Sequence, residues 1–190
     1  MKDLPDKSHV FLDTNILLYA VIDHPRFGLW CNTLLDRIHR GDLTGYISSI
    51  VLNEFIHKLI IGEVAEKTGI KPSQVVQYLK HHREELEKLD AYEISDEVET
   101  GYGLIILELT TDTFPTARRL MQLHRLMSND ALHLAVMQKT TSKTLSQMIL
   151  ILMELKVSIP GNPENLTNSD FPLGNPAYLL TVFTHLNPRS

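Results

Sequence analysis

Asp13, Glu54 and Asp130 are acids set into otherwise apolar stretches, "HVFLDTNILLYAV", "IVLNEFIHKL" and "DALHLAVMQ". An ionised carboxylate in apolar surroundings is costly unless it is paired, hydrogen-bonded or bound to a cation. Three such acids meeting in one cleft could hold a hard divalent ion, Mg2+ or Mn2+, which prefers oxygen ligands and keeps several waters. An ion of this kind brings a phosphodiester into a pocket that would otherwise repel it. It also lowers the pKa of an attacking water and stabilises charge on the phosphate and the leaving oxygen. Each acid has an ordinary role open to it as well: Asp13 as a turn or cap residue, Glu54 as a helix-surface acid, Asp130 as an N-cap. Thr14 and Asn15 would orient Asp13 and substrate, or simply make the turn.

These residues need elements to carry them. Residues 9–12 (His-Val-Phe-Leu) suit a buried strand, which places Asp13 at its C-terminal end. Residues 15–21 continue into a turn or short helix, and Arg26 to Arg40 repeats apolar residues at helical spacing, closed by Gly41-Asp42. "TGYISS" (44–49) reads as a second strand, followed at once by a helix with Ser49 as N-cap and Glu54 on it. The order so far is βαβα, an α/β pattern. Residues 73–90 read as a charged helix capped by Ser73, and "DAYEISDEV" as a weak strand or loop. Two further helices are expected at about 112–125 and 130–139, the second opened by Asp130.

Taken in order, "VFLDTNILLYAV", "SSIVLNEF" and "LMSNDALHLAVM" resemble the first three acidic motifs of the PIN domain family. The first is fairly specific after a strand; the other two persuade only in sequence. The resemblance covers residues 9 to about 139, with a helical insertion around 62–108 that is longer than in the smallest members. It implies a three-layer α/β fold, a central parallel sheet flanked by helices, with the acids meeting at the strands' C-terminal ends. That is where open α/β sheets place their sites. On this resemblance Asp13 and Asp130 are the principal metal ligands, and Glu54 is a ligand directly or through water. The implied activity is that of a Mg2+- or Mn2+-dependent endoribonuclease, most similar to the toxin members of toxin–antitoxin pairs. Such members imply RNA as substrate, an antitoxin protein as partner and frequently a homodimer. The alternative is a catalytically silent PIN-like module that binds RNA or protein; less favoured is a DNA-directed nuclease or a maturation factor for ribosomal RNA.

Composition narrows the field further. The chain has 190 residues, 43% of them hydrophobic, enough for one core. No segment has the roughly 18 unbroken apolar residues of a membrane span, so a cytoplasmic protein is expected. Cys31 is the only cysteine, which excludes an intramolecular disulfide and a cysteine-rich zinc site. With 18 basic and 23 acidic residues the net charge is −5, which argues against nucleic-acid binding by a basic surface throughout. Arg118, Arg119, His124 and Arg125 could form a local patch, or serve solubility. His57, His81, His82, His124 and His133 make no two-histidine-plus-glutamate zinc motif, and no glycine-rich phosphate loop is present.

The domain is expected to span 1–139, with 140–190 an atypical tail. PIN domains usually carry a fourth acidic motif, Thr-x-Asp-x-Asp-Phe, after the helix that Asp130 opens. Here that place holds "TTSKTLSQMILILMELKV". One reading is an apolar C-terminal helix, with Asn168 or Asp170 in "LTNSDF" standing for the missing acid. The other is a frameshift near Lys139 to Thr141. Read one base earlier, the codons of Gln147 to Leu155 allow Asn-Asp-x-Asp-Phe-Asp-Gly-Val, a likeness of the absent motif. On that reading the fourth motif and the last strand have been replaced.

Overall fold

The structure is a computed structural model that describes residues 4–144, 149–152 and 179–182. Its centre is β1 (His9–Leu12), whose Val10, Phe11 and Leu12 are fully buried. Three consecutive buried side chains have no polar face to give to water, as expected of a strand covered on both sides. Truncating a side chain such as Phe11 would cost about 3–5 kcal/mol. The chain then runs through α1 (Thr14–Val21) and α2 (Gly28–His39) to β2 (Thr44–Ser48), which pairs parallel to β1 with Val10 opposite Gly45. A Cβ on Gly45 would meet Ile38 and Leu104 side-chain carbons at 2.8 Å, so a larger residue here would force those side chains to shift.

From β2 the chain enters α3 (Ser49–Thr68), α4 (Pro72–Leu79), a 3-10 turn (Arg83–Lys88) and α5 (Ala91–Gly101), and returns as β3 (Ile105–Leu107), parallel to β2. It then crosses through α6 (Thr113–His124) and α7 (Ser128–Thr144) to β4 (Ile149–Leu152), which pairs parallel to the other side of β1. Finally β5 (Leu179–Val182) adds to β4 in antiparallel sense, giving the strand order β3-β2-β1-β4-β5. Progress from β1 runs one way to β2 and β3, and then jumps to β4 on the opposite side. The sheet's switch point therefore lies between β1 and β4, where open α/β sheets bind ligands beyond the strands' C-terminal ends. The fold is the expected α/β arrangement, a mostly parallel open sheet flanked by helices.

The core gathers β1, Ile16 and Leu17 of α1, Leu34 and Leu35 of α2, and Val51 and Phe55 of α3. A second, smaller cluster of Ala117, Leu120, Ala131 and Ala135 joins α6 to α7. Small residues here let the two helices approach closely, and α7 brings Asp130 with it.

Several local expectations are corrected. The N-cap of α3 is Ser48, whose Oγ accepts from the Val51 N–H at 3.2 Å; Ser49 is already helical. The expected helix over 73–90 is split. Pro72 rather than Ser73 sets the start of α4, its fixed φ suiting the first helical position, and the helix stops at Leu79. "DAYEISDEV" is helical, not strand or loop. The reason is tertiary: both oxygens of Glu63, on α3, accept the backbone N–H groups of Asp90 and Ala91 at 2.9 Å, capping α5 from outside. The stretch 62–108 is helical as expected up to Gly101, but it ends in the unanticipated strand β3. Asp130 is the third residue of α7, not its cap. Residues 149–152 are a strand and not part of a C-terminal helix. Isoleucine is a strong strand former, and three residues of Ile-Leu-Ile-Leu pair with β1. Asn168 and Asp170 lie outside the described residues.

Candidate active site

Asp13 follows β1 directly and caps α1: its Oδ2 accepts the Asn15 N–H at 3.2 Å. The backbone at Asp13 is still extended, so the side chain leaves the sheet at the C-terminal edge, where the helix N-terminus favours negative charge. Burial pushes the Asp13 carboxyl above the usual carboxylate range; the Asn15 N–H, His133 and Lys58 act in the opposite direction. This is a carboxylate that desolvation penalises, the situation a bound cation would relieve.

Glu54 comes to the same place from α3. Its Oε2 accepts from the Thr14 hydroxyl at 2.8 Å, and its Oε1 accepts from the Asn129 side-chain amide. Thr14 is almost wholly buried, so this bond ties half-buried Glu54 to the edge of the core. Lys58, one turn after Glu54, donates to Asn15 Oδ1 at 3.0 Å and places an exposed ammonium at the rim.

Asp130 is exposed on the first turn of α7. Three residues on, His133 is buried, with its Nδ1 3.1 Å from Ser48 Oγ and its ring 6.0 Å from that of Phe11. Burial lowers the pKa of His133, while Glu54, Asp13 and Asp130, in that order of strength, act to raise it. All three expected acids thus lie within electrostatic reach of one ring.

Hard oxygen donors and a desolvated Asp13 fit a divalent cation. Among the described residues, however, no group of three His, Cys, Asp or Glu side chains is arranged to hold a metal ion. The donor set suits an ion held by one or two carboxylates and otherwise by water, which is how Mg2+ is commonly bound. Cys31 is buried and its thiol is pushed up to about 12 by that burial, so it is no nucleophile.

A family model, PIN domain, matches residues 10–147. The chain belongs to the PIN domain family. PIN domains are generally nucleases and typically use divalent metals, so membership supports a nuclease role in general. No curated protein matches the chain significantly. Among the described residues, no helix is long and apolar enough to cross a membrane.

Asp13, Thr14, Asn15 and Glu54 are brought together, with Asp130 at the margin. Sequence reasoning missed Ser48, Lys58 and Asn129 and set His133 aside with the zinc candidates. Two signals were available: Lys58 follows Glu54 by four helical residues, and Asn129 and His133 sit four residues apart across Asp130.

Proposed function

We propose that this PIN protein is a metal-dependent endoribonuclease of the toxin type, hydrolysing RNA phosphodiester bonds with Mg2+ or Mn2+ held by Asp13, by Glu54 directly or through water, and by Asp130. The observation that carries the reading is the join between Asp13 at the C-terminal end of β1 and Glu54 on α3, made through Thr14 at the sheet's switch point. When bound, the ion supplies charge neutralisation at the scissile phosphate and a more acidic water. The chain's own residues do the rest. Thr14 and Asn129 occupy one oxygen each of Glu54 and stop the carboxylate from rotating. Asn15 holds Asp13 through its backbone N–H and Lys58 through its side-chain oxygen, and the Lys58 ammonium offers an RNA phosphate a positive contact beside the acids. An antitoxin segment entering near the cleft, and a second copy of the chain, are the partners this reading adds.

A catalytically silent RNA- or protein-binding module is the second reading, favoured by the lack of a three-ligand cluster among the described residues. The two part on one experiment. Purified protein is incubated with a defined single-stranded RNA, with Mg2+, with Mn2+ or with EDTA, beside Asp13→Asn. Cleavage that needs metal and disappears in the variant supports the nuclease. RNA binding that survives EDTA and Asp13→Asn, without cleavage, supports the silent module.

A further inference from the structure

The Ser48 side chain is fully buried and bonded on two sides: its Oγ accepts the Val51 N–H at 3.2 Å and stands 3.1 Å from His133 Nδ1. A serine hydroxyl has one hydrogen to give, and a buried one needs an acceptor. The Val51 N–H cannot accept, and among the described residues the acceptor within reach is His133 Nδ1. With Nδ1 as that acceptor, the imidazole carries its proton on Nε2.

The surroundings of the ring show what that proton faces. Phe11, whose ring lies 6.0 Å away, is two residues before Asp13 on extended backbone, so the two side chains share a face of the sheet. On α7, Asn129 and Asp130 precede His133 by four and three residues and share its face, and Asn129 is already bonded to Glu54. His133 therefore lies on the α7 face that carries Asn129 and Asp130, against the strand that leads into Asp13, and is anchored through Nδ1 to the cap of α3.

We infer that His133 is a positioning residue: Ser48 holds it as a neutral Nε2–H donor directed into the acidic cleft, where it orients the Asp13 carboxylate, directly or through one water. This rests on the ribonuclease reading. It gives the cleft a hydrogen-bond donor that brings no counter-charge, so the acids remain available to a cation. The same bond couples the start of α3, which carries Glu54, to α7, which carries Asp130.

The test uses the full chain and the two amide replacements. Glutamine places its amide nitrogen near the position of Nε2; asparagine reaches only as far as Nδ1. Expected are near-wild-type cleavage in His133→Gln and, in His133→Asn, a kcat lower by roughly 10- to 100-fold at unchanged KM for RNA, as for partners that orient metal ligands. Mn2+ affinity, read by titration with the ion alone, falls in parallel. Nitrogen-15 NMR of the wild type shows the Nε2–H tautomer, and Ser48→Ala, which keeps His133, shows mixed tautomers with the same loss of kcat. That variant also serves if His133→Asn melts below the assay temperature. Equal cleavage by the Gln and Asn variants, or an Nδ1–H tautomer in the wild type, overturns the inference alone. Wild-type protein that neither cleaves RNA nor binds Mn2+ overturns the ribonuclease reading and this role with it.

Discussion

Thr14, the first residue of α1, holds Glu54 of α3 through a 2.8 Å hydrogen bond from its hydroxyl to Oε2. Two acidic motifs 40 residues apart are thereby made one unit. Thr14→Val keeps the shape and removes the donor, leaving one oxygen of a half-buried carboxylate short of a partner. Stability should fall by about 1–3 kcal/mol, and RNA cleavage should fall further than the unfolded fraction explains. Denaturant midpoints beside cleavage rates check this; unchanged cleavage in a destabilised protein would make the bond structural only.

Asp13→Asn separates function from folding. Because burial raises the Asp13 pKa, the folded state binds its proton more tightly than the unfolded state does. Asp13 therefore costs stability as pH rises through the ordinary carboxylate value to its raised folded value, and the cost is complete above that. Asparagine carries no charge to desolvate, and its Oδ1 can still accept the Asn15 N–H. The variant should lose most cleavage while its melting temperature at pH 7 holds or rises. A variant that fails to fold would instead make Asp13 a structural cap.

The end of β1 could be read from sequence because everything it needs is local: three apolar residues, then an acid followed by Thr14 and Asn15. Glu54 could be read because its helix is apolar around it. By contrast α5 could not, since its cap comes from Glu63, 27 and 28 residues before the N–H groups it accepts. Nor could β3, whose three residues are too few to show a period. Ser48 and Ser49 are equal as cap candidates by type; only the geometry separates them. Asn129 and Lys58 gain meaning from partners on other elements, and no single-chain spacing reveals those.

On the nuclease reading, divalent metal should stabilise the folded protein, because only folding brings Glu54 to the Asp13–Thr14 end of β1. At a concentration 100 times its dissociation constant, Mg2+ or Mn2+ should add about 2.7 kcal/mol. Thermal melts with increasing Mg2+ or Mn2+, with Na+ at matched ionic strength as the control, would show a rising midpoint in wild type and a flat one in Asp13→Asn. A flat wild-type response would count against the metal reading.

His133 should make the protein acid-sensitive well above the carboxylate range. Its folded pKa lies below the ordinary imidazole value, chiefly through burial, so the unfolded state binds the proton first. Stability is then full above about pH 6.5 and is lost as pH falls from there towards the folded pKa. His133→Gln should flatten this part of the curve without altering the slope below pH 5. Urea midpoints between pH 5 and 8 decide it, and an equal slope in the variant would assign the titration to another group.

The last prediction concerns the gene. The shift that turns the codons of Gln147 to Leu155 into Asn-Asp-x-Asp-Phe-Asp-Gly-Val also turns those of Thr140 to Ser146 into strings such as Asn-His-Ile-Lys-Asn-Leu-Ile-Thr. Part of the likeness comes cheaply, since methionine and isoleucine codons always give an AT-ending triplet when read one base early. The order of turn, strand, threonine and acids, directly behind the helix that carries Asp130, does not. In the present frame the strand beside β1 is Ile149–Leu152, a short aliphatic run that serves as the sheet's fourth parallel strand. The residues that follow it in sequence are Met153 and Glu154, not a Thr-x-Asp-x-Asp-Phe motif. Reading one base early restores the motif only if a single base is missing, near codons 139–141. We propose that DNA sequenced across codons 136–156 will contain that extra base, in this gene or in its intact relatives. A protein made with the base restored should bind Mn2+ more tightly and cleave RNA faster than the present chain. An unaltered DNA sequence, together with a restored protein no better at either, would leave residues 140–190 as the true continuation of the fold.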